Sequence, residues 1–249
     1  MNIALFSSSE INAPLSVKDE RGEHIIKVLH KKEGDTFKAG IIGGSEGTAK
    51  ILKIENGFIH FNFTEECPGL ITQPLIMIIG FPRPIQLKRL LRDIAALGVK
   101  EVHLTGTELG EKSYMQSNLV EHGTAYKMLL DGTVQAGTTS VPELFLHQTL
   151  NECLEEVKKT TGKNYQALAL DNINPNCNLV EALNKTETKS SEIITVAAIG
   201  SERGWTDNER KMLETSGFIR CGMGKRIMRT ETAATVAASV ILAERGLLC

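Results

Sequence analysis

The chain is sparing with cysteine. Five occur in 249 residues: Cys67, Cys153, Cys177, Cys221 and Cys249. The number is odd and no Cys-x-x-Cys pair is present, which argues against a disulfide framework and a zinc site and fits a reducing cytosol. The six histidines show no metal-ligand spacing, so no metal is expected. No apolar run approaches the roughly twenty residues needed to cross a bilayer. Met1 to Phe6 lacks the basic stretch and the apolar run of a signal peptide. A cytoplasmic protein away from membranes is the expectation. The segment Gly40–Gly47 lacks the Gly-Lys-Ser/Thr ending of a phosphate loop and reads as a hairpin turn. No G-x-G-x-x-G follows the first strand of the second half, which speaks against a dinucleotide-dependent oxidoreductase. Excess charge is also missing: 28 Lys and Arg face 30 Asp and Glu, a formal net charge of −2. Binding to nucleic acid therefore requires local patches. Residues 203–229 carry seven cations against three carboxylates, and residues 18–32 carry five against three, with His24 and His30.

What is present divides in two. The first third is β-rich. Short apolar segments at Thr36–Ile42, Thr48–Ile54 and Phe58–Phe63 are separated by glycine turns, and Asn56-Gly57 is a strong hairpin signal. Several short strands within about 65 residues suggest a small barrel. Residues 24–30 read as a short helix gathering Ile25, Val28 and Leu29. Residues 64–74, with two prolines and a Pro-Gly pair, read as a linker. The rhythm then becomes strand–helix–strand. Strands are predicted at Leu75–Phe81, Val99–Leu104, Leu144–His147, Gln166–Leu170, Ile193–Ile199 and Phe218–Arg220. Helices are predicted at Pro84–Ala96, Ser117–Val134, Leu150–Lys159, Leu179–Asn184, Thr206–Ser216 and Glu231–Arg245. Alternation with unbroken apolar strands predicts an α/β fold with a largely parallel sheet covered on both faces. Ligands bind such sheets beyond the carboxyl ends of the strands.

Three loops follow predicted strands and meet that requirement: Asp171-Asn172, Gly200–Gly204 and Gly222–Thr230. In the second, two glycines allow backbone to approach a ligand, and Thr206 with Glu209 forms a capping box that opens the next helix. A plain strand–helix connection would also call for glycine there. The third interleaves Gly222 and Gly224 with Lys225, Arg226 and Arg229, so that cations face a close-approach backbone. Thr230 is expected to cap the final helix, whose first turns hold Ala233, Ala234, Ala237 and Ala238.

The segments Ile-Gly-Ser-Glu-Arg-Gly-Trp-Thr-Asp-Asn-Glu (199–209) and Gly-Met-Gly-Lys-Arg-Ile-Met-Arg-Thr-Glu-Thr-Ala (222–233) resemble the paired loops of the RsmE family of SPOUT methyltransferases. His24 through Asp35, Leu97-Gly98-Val99 and Val141-Pro142 also fall where that family has similar residues. Ser201 stands in place of a family proline, Arg203 of a glycine and His30 of an arginine. Asp93-Ile94-Ala95-Ala96 departs from the usual Lys-Ala-Thr-Glu.

The resemblance implies methylation of N3 of a uridine in 16S ribosomal RNA, with S-adenosylmethionine as cofactor. It implies a homodimer in which residues 1–68 form a PUA-like RNA-binding β-barrel. Residues 74–249 would form a SPOUT domain whose end is a trefoil knot. The implied partner is 16S rRNA or the small ribosomal subunit. Cofactor contacts are expected at Asp171, Asn172, Ile199, Gly200, Ser201, Gly204, Met223, Gly224, Arg226, Ile227, Met228 and Thr232. For catalysis, Arg229 or Arg226 could stabilise charge on the uracil, with Glu202 or Glu231 as base or orienting group. A helix-dipole role is the competing reading of Glu231. RNA contacts are expected at Arg21, His24, Lys27, His30, Lys31, Arg83 and Arg203, although a solvated charged face explains any one of them equally well. A SPOUT enzyme with another RNA target, and an RNA-binding assembly factor without catalysis, are the alternatives.

Overall fold

The computed structural model describes residues 2–116, 123–162, 165–185 and 193–248. The chain folds as two compact units. One comprises residues 1–71 and 130–141, the other residues 72–129 and 142–249.

The first unit is built on a five-stranded sheet. Its strands are β1 (Ala4–Phe6), β2 (Leu15–Ser16), β3 (Thr36–Ile41), β4 (Ser45–Glu55) and β5 (Phe58–Pro68), in the order β1-β3-β4-β5-β2. β1 runs parallel to β3, and the remaining pairs are antiparallel. The Asn56-Gly57 signal holds: both residues have positive φ, 52° and 81°, as a two-residue primed turn requires. Ala39, Ala49, Ile51 and Ile59 are fully buried with Phe6, Ile25 and Phe37, while Phe61 and Phe63 pack against them. The residues expected to be a linker behave differently. β5 continues to Pro68, paired opposite Ser45, and the next strand begins at Gln73. Ladder hydrogen bonds outweigh the local Pro-Gly signal, and Pro68 ends the strand, where a missing N–H is tolerated. The predicted helix at 24–30 is a π-helical turn, His24–Val28, that continues the short helix α1 (Glu20–Glu23).

Residues 130–141, which the sequence groups with the second half, belong to this unit. Asn2 N donates to Val134 O, Gly43 N to Thr139 O and the Thr139 hydroxyl to Gly44 O.

The second unit has a seven-stranded sheet, parallel throughout. Its strands are β6 (Gln73–Gly80), β7 (Val99–Thr105), β8 (Glu143–His147), β9 (Tyr165–Leu170), β10 (Cys177–Asn178), β11 (Ile194–Ile199) and β12 (Ile219–Gly222). Their order is β10-β12-β9-β11-β6-β7-β8. Leu75 to Ile79 and Val196 to Ile199 are all buried, as strands covered on both faces must be. The helices are α2 (Pro84–Ala96), α3 (Lys112–Met115), α4 (Thr124–Ala136, of which residues 130–136 belong to the first unit), α5 (Leu150–Thr161), α6 (Leu179–Asn184), α7 (Asp207–Thr215) and α8 (Thr230–Glu244). Part of the predicted helix Ser117–Val134, residues 117–122, lies outside the described residues.

Pro84 sits at the first position of α2, where its missing N–H costs nothing. Leu87, Leu90, Leu91, Ile94 and Ala95 form its buried stripe. The final helix α8 packs on β6, β11, α2 and α6. Ala234, Ala237 and Ala238 are fully buried there, and their small side chains allow the close approach. Arg229, not Thr230, is the N-cap of α8; Thr230 is its first helical residue and spends its hydroxyl on Gly200 O at 3.4 Å. No helix among the described residues is long and apolar enough to cross a membrane.

Candidate active site

Strand order decides which loops can meet. β12, β9 and β11 are neighbours and parallel, so the loops after them leave the same edge of the sheet side by side. These are the three loops singled out in the sequence. Together they line a cleft of about 290 Å³. Its lining includes Leu170, Asp171, Asn172 and Ile173 after β9, and Ile199 through Trp205 after β11. Met223, Gly224, Arg226, Ile227 and Met228 follow β12, and Thr230 and Ala233 come from the start of α8.

The loop after β11 is packed against its neighbours. A Cβ on Gly80 would stand 2.5 Å from the Ser201 nitrogen, and one on Gly200 would stand 2.9 Å from the Gly204 carbonyl carbon. Both positions require glycine because backbone occupies the space. Gly204 N donates to Ser201 O at 2.9 Å and closes the turn. The Thr107 hydroxyl donates to Ser201 Oγ at 3.0 Å. Trp205 is buried, and its indole N–H donates to Leu170 O at 3.2 Å, tying this loop to the end of β9.

The capping box of α7 forms as expected: Glu209 N donates to Thr206 Oγ1 and Thr206 N to Glu209 Oε2. The Glu209 carboxylate, 2 % exposed, also accepts from Glu108 N at 2.9 Å. Glu108 in turn accepts from the Thr206 hydroxyl and Asn208 Nδ2, both at 2.6 Å. Those two donors hold the Glu108 carboxyl below the usual carboxylate range.

Asp171 holds the loop after β9. Its side chain is 1 % exposed and lies 2.6 Å from Arg210 Nε and 3.5 Å from Arg220 Nη1. Its other oxygen accepts from Ile173 N at 3.1 Å. The pairing with Asp171 raises the Arg210 guanidinium above its ordinary range. With its carboxylate committed to two arginines, Asp171 offers a ligand chiefly its backbone and its position.

The loop after β12 has another character. Arg226 and Ile227 are exposed, Ile227 to 82 %, and Gly224 has φ 103°. No side-chain hydrogen bond or ion pair of Lys225, Arg226 or Arg229 occurs among the described residues.

Of the expected cofactor positions, all but Thr232 line the cleft. Thr230 and Ala233 lie one turn apart on the cleft side of α8, which turns Thr232 away into solvent. Among the expected catalytic residues Glu202 and Arg226 line the cleft, whereas Arg229 and Glu231 lie outside its lining. Glu202 accepts from Arg83 N at 3.1 Å, at the start of α2. Leu170, Ile173, Trp205, Thr230 and Ala233 line the cleft without having been assigned to the cofactor site. Trp205 had a signal, being the single tryptophan and standing directly before the cap of α7; the others become neighbours only through strand order.

The expected RNA contacts are unequal. Arg21 is taken up internally. Its guanidinium bonds Asp19, Glu10 and Leu5 O and stacks 4.7 Å over Phe6. The Arg21 guanidinium, helped by Ser7 N, holds the Glu10 carboxyl down at a pKa of about 2. A cation so committed is a structural strut, and its sequence neighbours gave no sign of this because Leu5 and Phe6 arrive through the sheet. Lys27 is exposed and pairs with Glu23 at 2.7 Å. Lys27 and Lys31 border a surface groove with Lys18 and Lys32. His30 is exposed in a positive-φ turn, φ 53°, and His24 is half-buried at the start of the π-helical turn. Arg83 and Arg203 are exposed, with Arg203 3.4 Å from Glu111.

A parallel sheet whose neighbouring strand ends enclose an apolar-floored cleft, with free arginine at its lip, defines an α/β protein built to hold a small organic ligand beside an anionic one. Residues 71–242 match the RNA methyltransferase domain family. The chain is 40 % identical over 248 residues to ribosomal RNA small subunit methyltransferase E of Treponema pallidum, covering 98 % of this chain and 91 % of the relative. It is 30 % identical to ribosomal RNA small subunit methyltransferase E 1 of Borreliella burgdorferi, covering 98 % of each. The chain belongs to this family of ribosomal RNA small subunit methyltransferases E, within the RNA methyltransferase domain family. Its fold is similar to that of the Neisseria gonorrhoeae member solved bound to S-adenosyl methionine. The TM-score is 0.75 at 18 % identity, with 98 % of this chain and 97 % of the other covered.

Proposed function

We propose that the protein uses S-adenosylmethionine to methylate N3 of a uridine in 16S ribosomal RNA, acting in the cytoplasm as a homodimer. The observation that carries this reading is the convergence of three loops, two of them glycine-bearing, on one cleft at the carboxyl ends of β9, β11 and β12. The cleft's volume, about 290 Å³, is at the lower end of the range for small-molecule sites, about 300 Å³ upward. Leu170, Ile199, Met228 and Ala233 offer an apolar bed for an adenine, and the backbone of Gly200, Gly204, Met223 and Gly224 offers polar groups beside it. When bound, S-adenosylmethionine supplies an electrophilic methyl group on a sulfonium. The residues' task is then alignment and electrostatics, since correct placement alone can contribute several kcal/mol, up to about 7–11 in the best cases.

Arg226 stands at the cleft with no internal partner among the described residues and is the group we assign to charge developing on the uracil oxygens as N3 loses its proton. Glu202, held by Arg83 N, is the orienting group or proton acceptor. Arg229 and Glu231 are assigned to the approach of the RNA and to the dipole of α8. Ser201, Asn172 and Ile227 complete the cofactor contacts, with Asp171 acting through its backbone.

For the RNA, we assign the first unit's sheet a PUA-like barrel role, with Lys27 and Lys31 along its groove, His24 and His30 from the same segment, and Arg83 and Arg203 near the cleft. The ladders of that sheet run from β1 to β2 without β2 pairing back to β1 among the described residues, so the barrel would be only partly closed. A C-terminal trefoil knot is part of the proposal. β12 lies between β9 and β10, both earlier in the chain, and α8 follows it into close packing. Exposed Ile227 on the cleft lip supports a partner subunit completing the mouth.

Calorimetry with S-adenosylmethionine, followed by mass mapping of 16S rRNA methylated by the purified protein, tests the reading. Binding of one cofactor per chain and a new N3-methyluridine are expected. Cofactor binding without that nucleoside redirects the enzyme to another RNA target; no cofactor binding leaves an assembly factor without catalysis.

A further inference from the structure

We propose that the chain carries a zinc-type metal site, outside the cleft, formed by His103, His147 and Cys153. One donor atom from each of these three side chains lies within 4.8 Å of the others. A tetrahedral zinc with bonds of about 2.0–2.1 Å to nitrogen and about 2.3 Å to sulfur holds its donors about 3.3–3.6 Å apart. The three side chains therefore have to draw together and turn their lone pairs inward to close on an ion. Two imidazoles and a thiol form a borderline-soft set, which suits zinc or copper(I) and not magnesium or calcium.

The surroundings are arranged as metal-binding histidines require. His103 Nε2 lies 3.2 Å from Glu101 Oε2, on a carboxylate that is itself buried. A carboxylate at that nitrogen keeps the proton there and leaves the lone pair on Nδ1. His103 Nδ1 lies 3.0 Å from His147 Nε2. Without an ion, His147 Nε2–H donates to His103 Nδ1; with one, both nitrogens turn their lone pairs to the metal. Phe145 stacks on the His103 ring at 4.6 Å and 13°, fixing its plane. His103 and Cys153 are fully buried and His147 is half-buried, so a fourth position open to water lies on the His147 side. Loading exchanges the Cys153 S–H bond for a sulfur–metal bond and releases one proton to solvent, while His147 changes tautomer without losing charge.

The spacing of these residues hides the site. His103 and His147 are 44 positions apart. Parallel pairing of Thr105 with His147 and of His103 with Phe145 puts both rings on one face of β7 and β8. α5, which packs on both strands, lays Cys153 over them. An ion there would clamp the edge strand β8 to α5.

The test uses the full chain, reduced and stripped with chelator, titrated with Co²⁺ and then with Zn²⁺. One equivalent of Co²⁺ is expected, with a thiolate-to-cobalt charge-transfer band and tetrahedral d–d absorption, both bleached by Zn²⁺. Cys153→Ser should abolish the charge-transfer band, and Glu101→Gln should weaken binding about 10–100-fold. The unaltered chain provides a readout independent of folding of the variants: in ¹⁵N NMR of the imidazoles, Zn²⁺ should remove the proton from His147 Nε2. No cobalt binding at tens of micromolar, a charge-transfer band that survives Cys153→Ser, or an unchanged His147 tautomer under excess Zn²⁺ each overturns the proposal.

Discussion

The two walls of the cleft are built on opposite principles. The wall after β9 and β11 is tied down by buried groups: Asp171 between Arg210 and Arg220, Trp205 on Leu170 O, and Glu209 on two backbone donors from separate segments. The wall after β12 is open, with an exposed Arg226, an 82 % exposed Ile227 and a glycine at φ 103°. Pre-organised dipoles are worth most where they need not move during reaction, which suits the first wall to holding a cofactor. Exposed cations and apolar surface are useful only when something arrives to cover them, which suits the second to RNA and a partner chain.

Substitutions on the two walls should separate stability from activity. The largest loss is expected for Asp171→Ala, which leaves two arginines facing one another. Breaking a buried charge pair costs about 3–5 kcal/mol, readable as a lower urea midpoint together with weaker cofactor binding. A fall in activity with no change in unfolding would contradict the tied-wall picture. Arg226→Ala should do the reverse. Single-turnover methyl transfer should drop about 100-fold or more, with the unfolding curve unmoved because the guanidinium has no internal partner among the described residues; near-normal turnover would remove Arg226 from the mechanism. Trp205→Phe keeps an aromatic ring but shortens it and strips the donor from buried Leu170 O, a cost of about 1–3 kcal/mol for the unpaired carbonyl to which the cavity adds. Differential scanning should show it, and the Kd for S-adenosylmethionine should rise as the two loops uncouple.

Smaller still is the effect of acid at Glu108. Its folded-state pKa is lowered, so its contribution is complete above the ordinary carboxylate pKa of about 4.3 and fades as pH falls through the lowered value. The stability difference between the native chain and Glu108→Gln should be constant from neutral pH down to about 5, then shrink; a gap that persists in strong acid rules out this assignment. Arg203→Ala is expected to do least. Its pair with Glu111 is exposed on both sides, so stability should change by less than about 1 kcal/mol. If Arg203 meets an RNA phosphate, the slope of log affinity against log salt should fall by about one unit.

The second unit was legible because its signals are local. Unbroken apolar runs predicted the parallel strands, Pro84 the start of α2, and Thr206 with Glu209 the capping box. Elements of two or three residues, β1, β2 and β10, had no periodicity to read. Pro68 and Gly69 suggested a linker because the partner strand that carries β5 to Pro68 is not visible in a local window. The internal partners of Arg21 were hidden for the same reason: a cation in a basic stretch looks solvated until the fold brings Leu5 O and Glu10 to it.

By itself the sequence determined the α/β rhythm, the two glycine-and-arginine loops and most of the cleft's lining, because glycine, capping and apolar runs act within a few residues. Tertiary structure alone decided that β12 lies against β9, that Asp171 is consumed by two arginines, that Thr232 faces away, and that His103, His147 and Cys153 come together. Each of those depends on contacts between residues tens of positions apart, and strand order, which no local pattern encodes, sets which of them meet.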